Sequence, residues 1–224
     1  MLYPPAPWKL QGYALQTLQL IDVKKIRPII PTEFDIISVF PGKTLGGVYL
    51  SYYGSGSVLE YSELIVVAGI VRYSGKIGGW ISNIYVDNPD SVAGGREIWG
   101  LPKELANFTW EKDCPVNSRY EKQVIVRQGK KILCSLSYNQ PNLGLQLPFK
   151  GDVFSTLSTS ILLFKGELSS HVGIVGSKLQ IPFESPFASI GLEQPWLTFY
   201  CDRLRLLVDA PQVVGLRENL TGLA

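Results

Sequence analysis

Lys103 is the residue of this 224-residue chain whose setting points most directly to covalent chemistry. It lies in the stretch from Tyr85 to Ala106, which reads YVDNPDSVAGGREIWGLPKELA. Asn88 suits a helix cap, Pro89 its first turn and Asp90 the positive end of its dipole, so a short helix is expected from Pro89 to Ile98. Gly100 and Pro102 then stop it. Lys103 is thereby set down between that helix and the run LANFTW, whose alternation suits a half-buried strand. Apolar surroundings between Leu101 and Leu105 would disfavour an ammonium, and an uncharged amine attacks a carbonyl to give a Schiff base. The competing reading leaves Lys103 on the surface, its charge facing the last carbonyls of the helix.

Other reactive residues are sparse. The three cysteines, Cys114, Cys134 and Cys201, are widely spaced and form no C-x-x-C pair. They fit a reduced, cytoplasmic setting, with Cys134 and Cys201 acting as small core residues of strands. His171 is the single histidine, so a catalytic triad or a zinc site lacks partners; it reads as a strand residue between Gly166 and Gly176. No metal and no cofactor are expected. The cluster Gly54-Ser55-Gly56-Ser57 lacks the lysine and helix start of a phosphate loop and reads instead as a mobile loop, leading to Glu63 near the mouth of a pocket.

Asp87-Asn88-Pro89-Asp90, then Gly95-Arg96-Glu97, then Pro102-Lys103 and Leu105 resemble the lysine motif of the acetoacetate decarboxylase family. The resemblance implies that Lys103 is a Schiff-base nucleophile. Tyr61-Ser62-Glu63 is similar to the family's Tyr-x-Glu segment, which implies an acid/base or orienting role for Glu63 beside the lysine. Pro7-Trp8-Lys9 and the segment from Asp22 to Pro31 fit as well, so the resemblance covers about the first half of the chain. Three positions depart from it. Glu104 stands where the family's decarboxylases usually carry a second lysine, the cationic neighbour for which acetoacetate decarboxylase is itself the standard example. A carboxylate there opposes activation unless it points away, as the next residue along a strand does. Tyr13 stands near the place of a pocket arginine and Tyr49 near that of a second pocket glutamate.

The chemistry implied is that of an imine. Lys103 would condense with a small β-keto acid, and the iminium would draw electrons from the adjacent bond while Glu63 returns a proton, a role worth about 100- to 10,000-fold. Loss of a carboxylate makes the reaction a decarboxylation; a changed carbon–carbon bond makes it aldolase-like; loss of water makes it a dehydration. The alternative is a non-enzymatic barrel holding a small hydrophobic ligand. Tyr49, Tyr52, Tyr53, Tyr61 and Trp99 suit the pocket of either, or simply a core.

The elements that must position these residues are mostly strands. They are expected at Tyr13–Leu20, Gly47–Tyr53, Ser62–Tyr73, Trp80–Val86, Leu105–Glu111, Tyr120–Val126, Lys131–Tyr138, Val172–Ile181 and Trp196–Val208, with a hairpin turn at Gln128-Gly129-Lys130. Helix is confined to Asp22–Arg27 and the segment after Asn88. Leu145–Phe149 and Leu179–Phe183 echo each other and read as strand ends leaving a sheet at a proline. The fold class is therefore mainly β (α+β): a curled or closed, barrel-like antiparallel sheet with a few short helices. The resemblance implies the same fold with the lysine inside.

Composition sets the outer limits. With 46% hydrophobic and 18% charged residues, the chain reads as one globular domain over 1–224 whose low surface charge favours a homo-oligomer. A net charge of +2 without a basic stripe argues against nucleic acid as a partner. No apolar run reaches the roughly 20 residues of a membrane helix, and the opening MLYPPAPWKL lacks the pattern of a signal peptide.

Overall fold

The computed structural model describes residues 3–111, 119–139, 144–192 and 194–217, so Cys114 lies outside the described residues. A long strand, β1 (Trp8–Asp22), runs into one helical turn, α1 (Val23–Ile26), which Asp22 caps by accepting the Lys24 amide. Next come β2 (Asp35–Ile36), β3 (Lys43–Tyr53), β4 (Tyr61–Tyr73) and β5 (Lys76–Val86), then the helix α2 (Pro89–Trp99) and the short β6 (Lys103–Leu105). The remainder is β7 (Asn107–Glu111), β8 (Lys122–Gln128), β9 (Lys131–Tyr138), β10 (Leu145–Leu157), β11 (Ser160–Ile174), β12 (Ser177–Gln180), β13 (Leu197–Val208) and β14 (Gln212–Leu216).

The main sheet follows the order β4-β3-β1-β13-β11-β10-β5, and β5 pairs back onto β4, so these strands close into a ring. Most neighbours are antiparallel, as expected. The exceptions lie at β5, which pairs in parallel with β10 and with β6. The seam between β5 and β10 is short, resting on Val153 opposite Gly79 and Phe154 opposite Trp80. A second sheet, β12-β9-β8-β7, lies outside the ring.

Period-two alternation sorts the ring residues onto two faces. On β3 and β4, Val48, Leu50, Leu64 and Val66 belong to a core shared with Val124, Val126 and Leu136 of the second sheet. Their neighbours Tyr49, Tyr53 and Tyr61 turn the other way, into a cluster with Trp8, Ile84, Phe164 and Leu204. Every strand of the ring contributes to that second cluster, which is its interior. Burial on both faces explains why Ser62–Tyr73 reads as a nearly unbroken apolar run.

Two expectations about strands and one about a loop need correction. Leu145–Phe149 does not leave the sheet at Pro148: it opens β10, with Pro148 opposite Ser169. A proline is tolerated there because this part of β10 has no second neighbour to which its missing N–H would donate. The β10–β11 hairpin as a whole was legible only in part, since Lys150-Gly151-Asp152 interrupts the apolar pattern. Val172–Ile181 is two strands rather than one: β11 stops at Ile174, and β12 starts at Ser177 in the other sheet. The Gly54–Ser57 loop is tied down, with the Gln11 amide donating to Ser57 Oγ and the Ser57 hydroxyl donating to the Gln11 carbonyl. No described helix is long and apolar enough to cross a membrane.

Candidate active site

Helix α2 and the turn after it set the direction of Lys103. Asn88 caps the helix, its Oδ1 accepting from the amides of Asp90 and Ser91, and this brings Ser91 to the inner side of the first turn. At the other end Gly100 adopts φ +61°, a left-handed conformation that favours glycine. Its N–H donates to the Arg96 carbonyl and that of Leu101 to the Gly95 carbonyl, the pattern of a Schellman stop. Pro102 follows, and Lys103 enters β6 opposite Ile84 of β5.

From there the Lys103 side chain doubles back beneath α2. The helix lets it pass because residue 95 is glycine: a methyl group at that position would lie 2.7 Å from Lys103 Cε. Gly94 serves the neighbouring ring in the same way, since a methyl group there would meet Trp8 at 2.6 Å. Arg96 then pins the backbone, its Nε donating to the Lys103 carbonyl at 2.7 Å. Glu97 accepts from the hydroxyl of Tyr3, which fastens the N-terminal segment across the helix.

Lys103 is left 3% exposed. Lys103 Nζ donates to Glu63 Oε1 at 2.7 Å and to Ser91 Oγ at 3.1 Å. It stands 5.0 Å from the centre of the Tyr61 ring and 5.6 Å from that of Trp8, both within cation–π range. Glu63, itself 4% exposed, accepts through Oε2 from the Tyr53 hydroxyl at 3.3 Å, and the Tyr53 and Tyr49 hydroxyls lie 3.2 Å apart. Lysine, carboxylate and two phenols thus form one continuous chain inside the ring. Ser51 faces Glu63 across β3 and β4, its buried hydroxyl beside the phenols of Tyr49 and Tyr53.

Burial raises all three phenols. Tyr49, Tyr53 and Tyr61 are pushed well above the ordinary value of 10.0, first by desolvation and further by the negative charge of Glu63. They stay neutral and able to donate at physiological pH.

Of the residues singled out in the sequence, Lys103, Glu63, Tyr49 and Tyr61 are brought together. Trp99 is one ring removed: it packs edge-on against Trp8 at 4.8 Å and donates its Nε1–H to the Asp209 carbonyl. Glu104 is not in the site. Alternation along β6 turns it outward, where it accepts from Gln128 Nε2 at 2.9 Å, so the assignment of a modulating role in the pocket is corrected. Ser91 was missed, and its only sequence signal is its place three residues after the capping Asn88. Tyr13 lies outside the ring against Tyr52, Tyr200 and Trp110, and burial raises its phenol to about 12. Two surface clefts, of about 280 and 370 Å³, lie elsewhere, the first beside Trp80, Pro102 and Ser155 and the second beside Lys9, Phe149 and Arg205.

Residues 3–150 match the family model described as acetoacetate decarboxylase. Among curated proteins, Protein NEOXANTHIN-DEFICIENT 1 of Arabidopsis thaliana is 34% identical over 107 residues, covering 48% of this chain and 38% of that protein. The match therefore spans less than half of that relative's length. Among solved structures, acetoacetate decarboxylase from Legionella pneumophila aligns with a TM-score of 0.74 at 17% identity, over 96% of this chain and 90% of that one. The enduracididine biosynthesis enzyme MppR, complexed with pyruvate, aligns with a TM-score of 0.67 at 14% identity, over 95% and 91% of the two chains. At such identities the likeness is one of fold.

Proposed function

The chain belongs to the acetoacetate decarboxylase family, and from that premise we propose that Lys103 forms a Schiff base with a small carbonyl compound inside the ring, in a lyase-type reaction. The observation that carries this reading is the buried amine 2.7 Å from a buried carboxylate. In the resting pair the lysine proton sits between Nζ and Glu63, at a distance suited to direct transfer. Glu63 takes that proton, and the freed lone pair adds to the carbonyl carbon. The proton then returns to the carbinolamine oxygen, which leaves as water, and the iminium forms with the Glu63 carboxylate still beside it. Ser91 and Tyr53 hold the two partners in line throughout.

Decarboxylation, carbon–carbon bond cleavage or formation, and dehydration all proceed from this intermediate. Reduction with borohydride in the presence of a broad panel of carbonyl compounds, followed by peptide mass measurement, tests the shared step. The expected result is a stable adduct on Lys103. A panel that leaves Lys103 unmodified selects the other reading, in which the ion pair staples an apolar binding barrel; the pairing of the amine with Glu63 and Ser91 within that interior favours this second possibility.

A further inference from the structure

Among the described residues, Glu63 and Lys103 are the only charged side chains that are buried, and each is the other's partner. Their charges sum to zero. The wall around them consists of rings and aliphatic groups such as Trp8, Leu10, Tyr61, Ile84 and Leu204. The cations closest in sequence turn elsewhere: Arg96 is exposed and spends its Nε on a backbone carbonyl, and Lys9 is exposed beside Trp8. Asp87 accepts from the Ser62 amide at the mouth of β4. Among the described residues, no buried side chain other than Lys103 carries a positive charge to meet an incoming anion.

We propose that the carbonyl compound taken up at Lys103 is uncharged, an apolar ketone or aldehyde rather than a keto acid. This rests on the Schiff-base reading above and narrows it. A keto acid would bring a second carboxylate into an interior whose one ammonium is already matched by Glu63, and an unpaired buried carboxylate is heavily penalised. An uncharged carbonyl keeps the site neutral at every stage. The ammonium and carboxylate become amine and carboxylic acid; amine and carbonyl become iminium and water as Glu63 is left ionised again. The carboxylate then removes a proton from the carbon next to the iminium, giving a neutral enamine and a neutral acid. The phenols respond to the same field, because the Glu63 charge and desolvation together oppose a negative charge on Tyr49, Tyr53 or Tyr61. Under this proposal decarboxylation is not the outcome, since the substrate has no carboxylate to lose, and the bond that changes is carbon–hydrogen or carbon–carbon.

The test uses pairs matched in shape and differing in charge. Methyl isobutyl ketone and acetoacetate form one pair, benzaldehyde and its para-carboxy derivative another. The intact chain is incubated with each compound and cyanoborohydride, and modification of the peptide containing Lys103 is measured by mass. The expected result is at least about tenfold more adduct on Lys103 from the uncharged member of each pair, the direction set by burial of an unpaired charge. Equal or greater labelling by the acids overturns the proposal while leaving the Schiff base intact. No labelling of Lys103 by any of the four overturns both. Because Lys103→Met alone strands the Glu63 charge, the control is Lys103→Met combined with Glu63→Gln, with folding checked by circular dichroism; labelling of surface lysines should persist in it.

Discussion

Lys103 Nζ and Glu63 Oε1 meet at 2.7 Å although the two residues are forty positions apart in the chain, one beginning β6 and the other near the start of β4. Sheet order makes the meeting possible: β5 pairs with β4 on one side and with β6 on the other, placing Val86 opposite Glu63 and Ile84 opposite Lys103. Each residue supplies the counter-ion that allows the other to be buried, so their contributions to stability are coupled.

Removing one partner should therefore be worse than removing both. Lys103→Met is expected to lower unfolding stability by about 3–5 kcal/mol, because it leaves a buried carboxylate without its cation. Adding Glu63→Gln should recover most of that loss, since the double variant buries no charge. Denaturant unfolding of the two variants measures the difference, and equal stability of the two would count against the coupling.

Gly95→Ala offers a test in which propensity and packing disagree. In an exposed helix interior this change stabilises by about 1 kcal/mol. Here the added methyl group meets Lys103 Cε at 2.7 Å, so the side chain must move. The variant is expected to be less stable than the parent and to lose most of its adduct formation at Lys103. A gain in stability with labelling unchanged would refute the close passage of the lysine beneath α2.

Glu104→Lys should do little. The side chain faces Gln128 outside the ring, and surface changes of this kind stay within about 0.5 kcal/mol. The pH profile of trapping at Lys103 is expected to match the parent's. A profile displaced toward lower pH would mean that residue 104 reaches the amine.

Tyr53→Phe removes the donor to Glu63 Oε2 and the partner of the Tyr49 hydroxyl. A stability loss of about 1–3 kcal/mol is expected from the unsatisfied buried groups. The rate of trapping should fall while the extent at long times stays close to that of the parent, because the phenol positions the carboxylate and does not itself bond to the substrate.

Alkaline titration gives a fourth handle on the interior. The phenols of Tyr49, Tyr53 and Tyr61 have folded-state pKa values raised above the ordinary 10.0, so the unfolded chain gives up these protons first. The stability they contribute is whole below about pH 10 and declines as pH rises above it toward the folded-state values. Phenolate absorbance from these three tyrosines should accordingly appear together with loss of the near-ultraviolet dichroism. Full titration of every tyrosine in a chain still folded would contradict their burial.

Much of this architecture was legible in the residues. Asn88, Gly100 and Pro102 fixed the ends of α2 through local chemistry that tertiary packing had no reason to override. Alternation located most strands; for Glu104 it offered the outward direction without choosing it, and the hydrogen bond from Gln128 decides the matter. Tyr49 and Tyr53 looked like core in sequence because they are core; their linkage to Glu63 depends on the register between β3 and β4, which no local pattern encodes. Ser91 escaped for the same reason, being aimed at an amine held by a different strand. Of the β10–β11 hairpin only the opening was legible, through the alternation of Leu145, Leu147 and Phe149; Lys150-Gly151-Asp152 then breaks the apolar period.

The ring also bears on how the polypeptide may be divided. Residues 3–150 hold the lysine and its named partners, yet of the ring's strands they provide whole only β1, β3, β4 and β5, with merely the opening of β10. The staves that shut the cask, β11 and β13, come later in the chain. A fragment cut at Lys150 would leave Leu10, Ala14 and Tyr49 without the facing residues Phe164 and Leu204, a wetted trough in place of a dry chamber. Such a piece should clump rather than fold.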